Sequence, residues 1–406
     1  VRHFPFLSPA QDRDVFAVEP CRFDGASDAG TLALALGATL YSPGTRLGLA
    51  DDAERAARIG ATSHVWCLED SIAHDDVSTA EANVVRQLGE LHGRVTGGLA
   101  QAPLLFVRVR TPEQMERIVE GAGEAAAHLT GFVLPKFAPD RTGGRCLDTL
   151  AALRERTGLR LFGMPVLEHP DLAWQETRRR HLLGIRALTD AHRDIVLSVR
   201  VGGTDLCGLY GIRRAADTTI WDVAVVRGML AEAINVFARH GDYAVSGPVW
   251  EHLAGPERLF KPQLRQTPFE RAGLPRLRTQ LLSEEADGLM REVSLDRANG
   301  LTGKTVIHPA HVGVVNALST VAREEYDDAL AVAAAADRGG ASRSVAGTRM
   351  NEAGPHALWA RQVLERAAVY GVLSHPDKLL DLLDAGREVS DRLYRTGSAG
   401  LGQVVR

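Results

Sequence analysis

The sequence predicts an α/β fold, a (β/α)8 or TIM barrel with an N-terminal extension and a C-terminal helical segment. Two observations carry that prediction. Eight short apolar runs recur between residues 38 and 308, most of them separated by a stretch able to form a helix. Near-continuous apolar strands alternating with helices mark a buried parallel sheet. The second observation is that charged residues recur where the apolar runs stop, which is where a barrel keeps its reactive groups. The expected organisation is an extension over 1–30, a barrel over 31–316 with an insertion at 252–273, and a helical region over 317–406.

The strand candidates are Ala38–Ser42, Ser63–Glu69, Leu104–Arg108, Gly131–Lys136, Leu161–Glu168, Ile195–Gly202, Tyr243–Gly247 and Thr305–His308. Helix signals lie between them. Ser78 and Glu81 have capping-box spacing ahead of Val84, Val85 and Leu88. Thr111 followed by Pro112 and Gln114 offers an N-cap with proline at the first helical position. Trp221–His240 places Val225, Met229, Ile234 and Phe237 at near-helical spacing and stops at Gly241. Beyond the barrel, Ala329–Ala336 and Pro355–Tyr370 read as helices joined across a Gly/Ser-containing linker at 339–347.

Composition narrows the function. A formal net charge of −4 gives no broad basic field, so nucleic acid is not the expected partner. No apolar run reaches the ~18 residues of a membrane span, and no apolar signal core follows a charged N-terminus. No membrane partner is expected, and a cytoplasmic location is. Cys21, Cys67, Cys146 and Cys207 form no CxxC pair, which argues against a disulfide scaffold or a Cys-rich zinc site. The GxxxxGK[ST], HExxH and GxSxG patterns are absent.

The strand ends supply the chemistry. In order they carry Arg46, Glu69 and Asp70, Arg108 and Arg110, Lys136, Glu168 and His169, Gly202-Gly203-Thr204-Asp205, and His308. Glu168 and Asp205 are the strongest pair, because two carboxylates completed by water and substrate oxygens commonly hold Mg2+. Solvated or capping carboxylates are the plain alternative. Arg108 ends a strand and could grip a substrate carboxylate in bidentate fashion, or pair with Glu69 or Asp70. Arg110 shares its parity. Arg46 follows a Pro-Gly turn and could reach an anion or only shape the turn. Lys136 could form a Schiff base or act electrostatically. His169 and His308 are candidate acid/base groups, Cys67 reads as core, and the direction of Arg200 stays open.

Taken in order, these motifs resemble the superfamily of citrate lyase β-subunits, malyl-CoA lyases and related metal-dependent aldolases. The matching stretches are Tyr41-Ser-Pro-Gly-Thr-Arg46, Leu68-Glu-Asp-Ser71, Val107-Arg-Val109, Val133-Leu-Pro-Lys136, Val166-Leu-Glu168, Gly202-Gly-Thr-Asp205 and Gly303-Lys-Thr-Val-Ile-His-Pro309. Residues 349–356 look like the tail of a divergent branch, similar to carbon–carbon bond lyases of tellurium-resistance-type operons. The resemblance implies a barrel enzyme with Glu168 and Asp205 as ligands of Mg2+, or of Mn2+ in its place. It implies Arg108 on the substrate carboxylate, Glu69 and Asp70 as the acidic motif after the second strand, and assembly as a homo-oligomer. Arg46, Gly203 and Thr204 fall in matching motifs and are expected to line the substrate.

Four features depart from the pattern: Cys67 where relatives carry Asp, His169-Pro170 where they carry a small hydroxylated residue, a longer segment between Glu168 and Asp205, and the insertion at 252–273. The expected activity is Mg2+-dependent carbon–carbon cleavage of an oxaloacetate-, glyoxylate- or pyruvate-like keto acid or its adduct, through a metal-stabilised enolate. The alternatives are an acyl-CoA lyase or thioesterase of malyl- or citramalyl-CoA type, and a non-catalytic metabolite-binding barrel within a larger complex. The departures around the barrel mouth count against a CoA thioester as substrate.

Overall fold

A computed structural model describes residues 1–98, 101–253, 286–337 and 339–395. All eight expected strands are present. We number the barrel strands β1 (Ala38–Pro43), β2 (Ser63–Cys67), β3 (Leu104–Arg108), β4 (Leu129–Leu134), β5 (Phe162–Leu167), β6 (Val199–Val201), β7 (Val245–Ser246) and β8 (Lys304–Val306). Neighbours pair in parallel in chain order from β1 to β7, and β8 pairs with β1 through Ala38–Lys304. A parallel bridge between Gly247 and Lys304 joins β7 to β8 and closes the ring. Closure removes the free edges that an open sheet would expose.

Alternation along each strand separates two cores. Trp66, Leu105, Val107, Phe132, Leu134 and Leu167 point outward and pack under the helices. Val65, Phe106, Val133, Phe162, Met164 and Val166 point inward and fill the barrel. With a side-chain period of two, Arg108 continues the inward row of Phe106 and Glu168 that of Val166, which delivers both to the mouth.

The local signals were uneven. Thr111 does cap the helix Pro112–Ala122, its hydroxyl accepting from the Gln114 N–H at 3.4 Å. The capping box at Ser78 is not formed: that helix starts at Val77, with Asp76 at the cap, and Ser78 lies within its first turn. The helix expected over Trp221–His240 spans Ala224–Phe237, flanked by 3-10 turns at Ile220–Asp222 and Arg239–Gly241. Trp221 stays outside it because its indole N–H donates to Asp296 at 2.8 Å. The linker at 339–347 is part of a hairpin, Ala341–Arg343 paired with Met350–Glu352. The helical tail folds back on the other end of the chain, since Phe16–Val18 pairs with Val372–Leu373. Most of the 252–273 insertion lies outside the described residues. Among those described, no helix is long and apolar enough to cross a membrane.

Candidate active site at the barrel mouth

Six of the charged residues expected at the strand ends meet at one place. The Arg108 guanidinium stands 2.8 Å from Glu69, 2.9 Å from Glu168 and 3.3 Å from Asp70. Lys136 Nζ donates to Glu69 at 2.6 Å and to Asp70 at 3.0 Å, and lies 3.8 Å from Asp205. The ion pair foreseen as an alternative for Arg108 is therefore real, and it includes Glu168.

The local backbone explains how these groups converge. Lys136 has φ +48, a left-handed conformation uncommon outside glycine. That turn directs the Lys136 backbone N–H onto Glu168 Oε1 at 2.9 Å while its side chain crosses to Glu69 and Asp70. Strain held at a strand end is a recurrent mark of functional positions. Gly202 solves a different problem. A Cβ there would sit 2.0 Å from Glu168 Oε2 and 2.5 Å from the Glu168 Cβ, so only glycine lets β6 end beside this carboxylate. Gly203 begins the short helix Gly203–Gly208, in which Asp205 is the third residue.

The electrostatics are unbalanced. Among the described residues, four carboxylates (Glu69, Asp70, Glu168, Asp205) face two cations (Arg108, Lys136), a formal excess of two negative charges. Burial pushes the Glu168 carboxyl up; Arg108 opposes this and Asp205 adds to it, leaving it at about 7. Burial also works against the charged forms of Arg108 and Lys136, but the carboxylates outweigh it and hold both above their ordinary values. A lysine kept protonated and doubly hydrogen-bonded is poorly suited to Schiff-base chemistry.

Other expected site residues are placed elsewhere or tied differently. The Arg46 guanidinium is bound by Asp52 of the helix Leu49–Arg58, not by a member of the ring. Arg110 staples the loop after β2, donating to the carbonyls of Leu68 at 2.7 Å and Glu69 at 2.8 Å. The Thr204 hydroxyl donates to Glu251. His308 Nδ1 accepts the Ala310 N–H at 3.3 Å, and burial lowers its pKa. Cys67 is buried as core. Arg200 points into the barrel, donating to Thr39 at 3.2 Å and Thr305 at 2.7 Å. Sequence reasoning passed over the closeness of Gly202 to Glu168. Only the glycine pair before Asp205 hinted at it.

A (β/α)8 barrel with a cluster of charged side chains at the C-terminal ends of its strands is an architecture typical of enzymes. Family comparison agrees. The chain belongs to the family described as C-C bond lyase of the TIM-barrel fold, which matches residues 30–372, and it is a carbon–carbon lyase. A citrate lyase from Burkholderia xenovorans superposes with a TM-score of 0.58 at 16% identity, over 86% of this chain and 96% of that one. CitE of Mycobacterium tuberculosis, solved with magnesium, acetoacetate and coenzyme A, gives 0.49 at 18%, over 82% and 99%. A magnesium/glyoxylate complex of Haloferax volcanii malate synthase gives 0.48 at 14%, over 69% and 74%. No curated protein matches in sequence.

Proposed function

We propose that this lyase cleaves a keto-acid-type substrate with Mg2+ held by Glu168 and Asp205. The observation that carries the reading is the excess of two negative charges among the described residues of the mouth, which one divalent cation would neutralise. The donor set also fits, since carboxylate oxygens suit a hard ion such as Mg2+, with Mn2+ as a substitute. When bound, the ion supplies Lewis-acid polarisation of the keto oxygen and countercharge for the enolate.

The chain's own residues do the rest. Arg108, beside Glu69, Asp70 and Glu168, would receive the substrate carboxylate in bidentate geometry when Glu168 and Asp205 hold the ion. Its inner Nε–H has no hydrogen-bond partner among the described residues, which leaves donor capacity in reserve. Lys136 stays protonated, fixing Glu69 and Asp70 and placing positive charge beside the reacting carbons. Glu69 and Asp70 are the carboxylates placed to move a proton. Gly203 and Thr204 shape the floor beside Asp205.

Asp205→Asn tests the reading. Turnover of oxaloacetate-, glyoxylate- and pyruvate-type adducts should require Mg2+, vanish with EDTA, and fall about 10^3-fold in the variant. The fold should stay intact by circular dichroism. Cleavage that survives EDTA, or borohydride trapping of substrate on Lys136, overturns the metal assignment. Turnover confined to malyl- or citramalyl-CoA thioesters overturns the substrate class.

A further inference from the structure

The loop that leaves Glu168 carries a second set of donors, which the chemistry above does not use. His169 and Asp171 lie at the 3-10 turn Pro170–Leu172, and His181 projects from the following helix, Gln175–Ala191. One ligand atom from each residue lies within 4.8 Å of the other two. Asp171 Oδ2 is 3.4 Å from His181 Nδ1 and 3.8 Å from His169 Nδ1. These separations are long for a good hydrogen bond of about 2.9 Å. They are close to the spacing of about 3.4 Å between ligands that sit about 2.1 Å from a tetrahedral ion.

We propose that His169, Asp171 and His181 form a second metal site, for a borderline divalent transition ion of the Zn2+ class. The donor set separates it from the all-oxygen pair at the mouth: two imidazoles and a carboxylate favour Zn2+, Co2+ or Ni2+ over Mg2+. The His169 Nδ1 accepts the Asp171 N–H at 3.2 Å, so its lone pair is unprotonated, as ligation requires. An entering ion takes the place of that amide. The two rings stack with centroids 4.7 Å apart and planes 16° from parallel, so one ring turns for both in-plane lone pairs to meet a single ion. The His181 side chain is buried, and Nδ1 is the nitrogen turned to Asp171.

The side chains of His169 and Asp171 are 33% and 44% exposed, which leaves a way in for the ion and a coordination position for water or a small ligand. Because His169 directly follows Glu168, loading this site ties the end of β5 to the helix that carries His181. The proposal stands independently of Mg2+ at Glu168 and Asp205.

Co2+ titration of the metal-stripped full chain, in an Asp205→Asn background, tests it. We expect one equivalent of Co2+ to develop visible d–d absorption of tetrahedral intensity, bleached by Zn2+ and unaffected by excess Mg2+. Asp171→Asn and His181→Gln should each weaken Co2+ at least tenfold; the exposure of Asp171 makes the first a substitution the fold tolerates. A spectrum no stronger than that of aqueous Co2+, or an affinity in both variants equal to that of the protein with His169, Asp171 and His181 intact, overturns the proposal.

Discussion

Beside β8, Lys304 donates to Glu292 and Asp296 at 2.7 Å each, and Arg214 donates to Glu292 at 2.5 Å. At the barrel mouth, Arg108 and Lys136 face Glu69, Asp70, Glu168 and Asp205. Both clusters are made of carboxylates and cations gathered by strand ends and helices. In the first, two cations meet two carboxylates, and no side chain is more than 4% exposed. Trp221 adds a hydrogen bond to Asp296 and the Ile220 N–H one to Glu292. In the second, carboxylates outnumber cations, while Lys136 and Asp70 are 44% and 52% exposed. A sealed, balanced cluster has no vacancy for a ligand and serves the fold. An open, unbalanced one has room for the cation proposed above. Charge balance and exposure, more than the presence of ion pairs, distinguish the two clusters.

The sharpest way to break this comparison is Lys304→Met. It would leave Glu292 with Arg214 alone and Asp296 without its cation, in a place where water cannot enter. Removing one partner of such a buried set costs about 3–5 kcal/mol. Gly247, whose Cβ would stand 2.7 Å from Asp296 Oδ2, shows how tightly the knot holds the β7–β8 seam. Urea unfolding should show the loss; a change below about 1 kcal/mol would mean that the knot is not what holds the ring closed.

Gly202→Ala probes the mouth with a smaller effect. Its φ of −94 is open to alanine, so the cost comes from the new methyl meeting Glu168, not from the backbone. A shift of the Glu168 carboxylate of about 1 Å is worth about 10^2-fold in turnover, and overpacking costs about 1–3 kcal/mol of stability. Steady-state rates measured against Mg2+ concentration check this. Unaltered turnover and Mg2+ dependence would show that Glu168 is not needed where it stands.

Most of the barrel was legible in the sequence because its code is local. Apolar runs of period two lie between helix signals, and every expected strand overlaps an observed one. The mouth was legible for the same reason: a residue's parity and its place at a strand end decide where it points. What stayed hidden depends on packing between distant segments. Lys304 lies in the most specific of the family-like stretches, yet nothing local shows that it is buried against Glu292 and Asp296. Arg46 had the right motif, but Asp52, in the first turn of the following helix, captured it. The His169–Asp171–His181 cluster needs a 3-10 turn to fold the helix back, and no periodicity announces that. Ser78 failed as a cap because the helix begins one residue ahead of it.

Lys136→Met is the matched partner of Lys304→Met and carries the smallest expected effect on stability. Exposed pairs contribute about 0–1 kcal/mol, so the variant should unfold within about 1 kcal/mol of the wild type, although its lysine has at least as many carboxylate partners as Lys304. The pH dependence sharpens the point. Burial raises the Asp70 carboxyl, but hydrogen bonding with Glu69 and Lys136 and the charge of Arg108 prevail, and its pKa falls below the usual 3.8. A carboxyl depressed by folding binds fewer protons in the native state. The stability it contributes is present above the unfolded value and lost as pH falls through the folded one. Wild type and Lys136→Met should therefore differ slightly near neutral pH and converge as pH falls below the usual carboxylate value of 3.8, with the gap shrinking in high salt. Urea titrations across that range read it directly. A loss of 3 kcal/mol or more in Lys136→Met, comparable with that expected for Lys304→Met, would show the mouth to be a second structural knot, and its excess charge could no longer be read as a place for a cation.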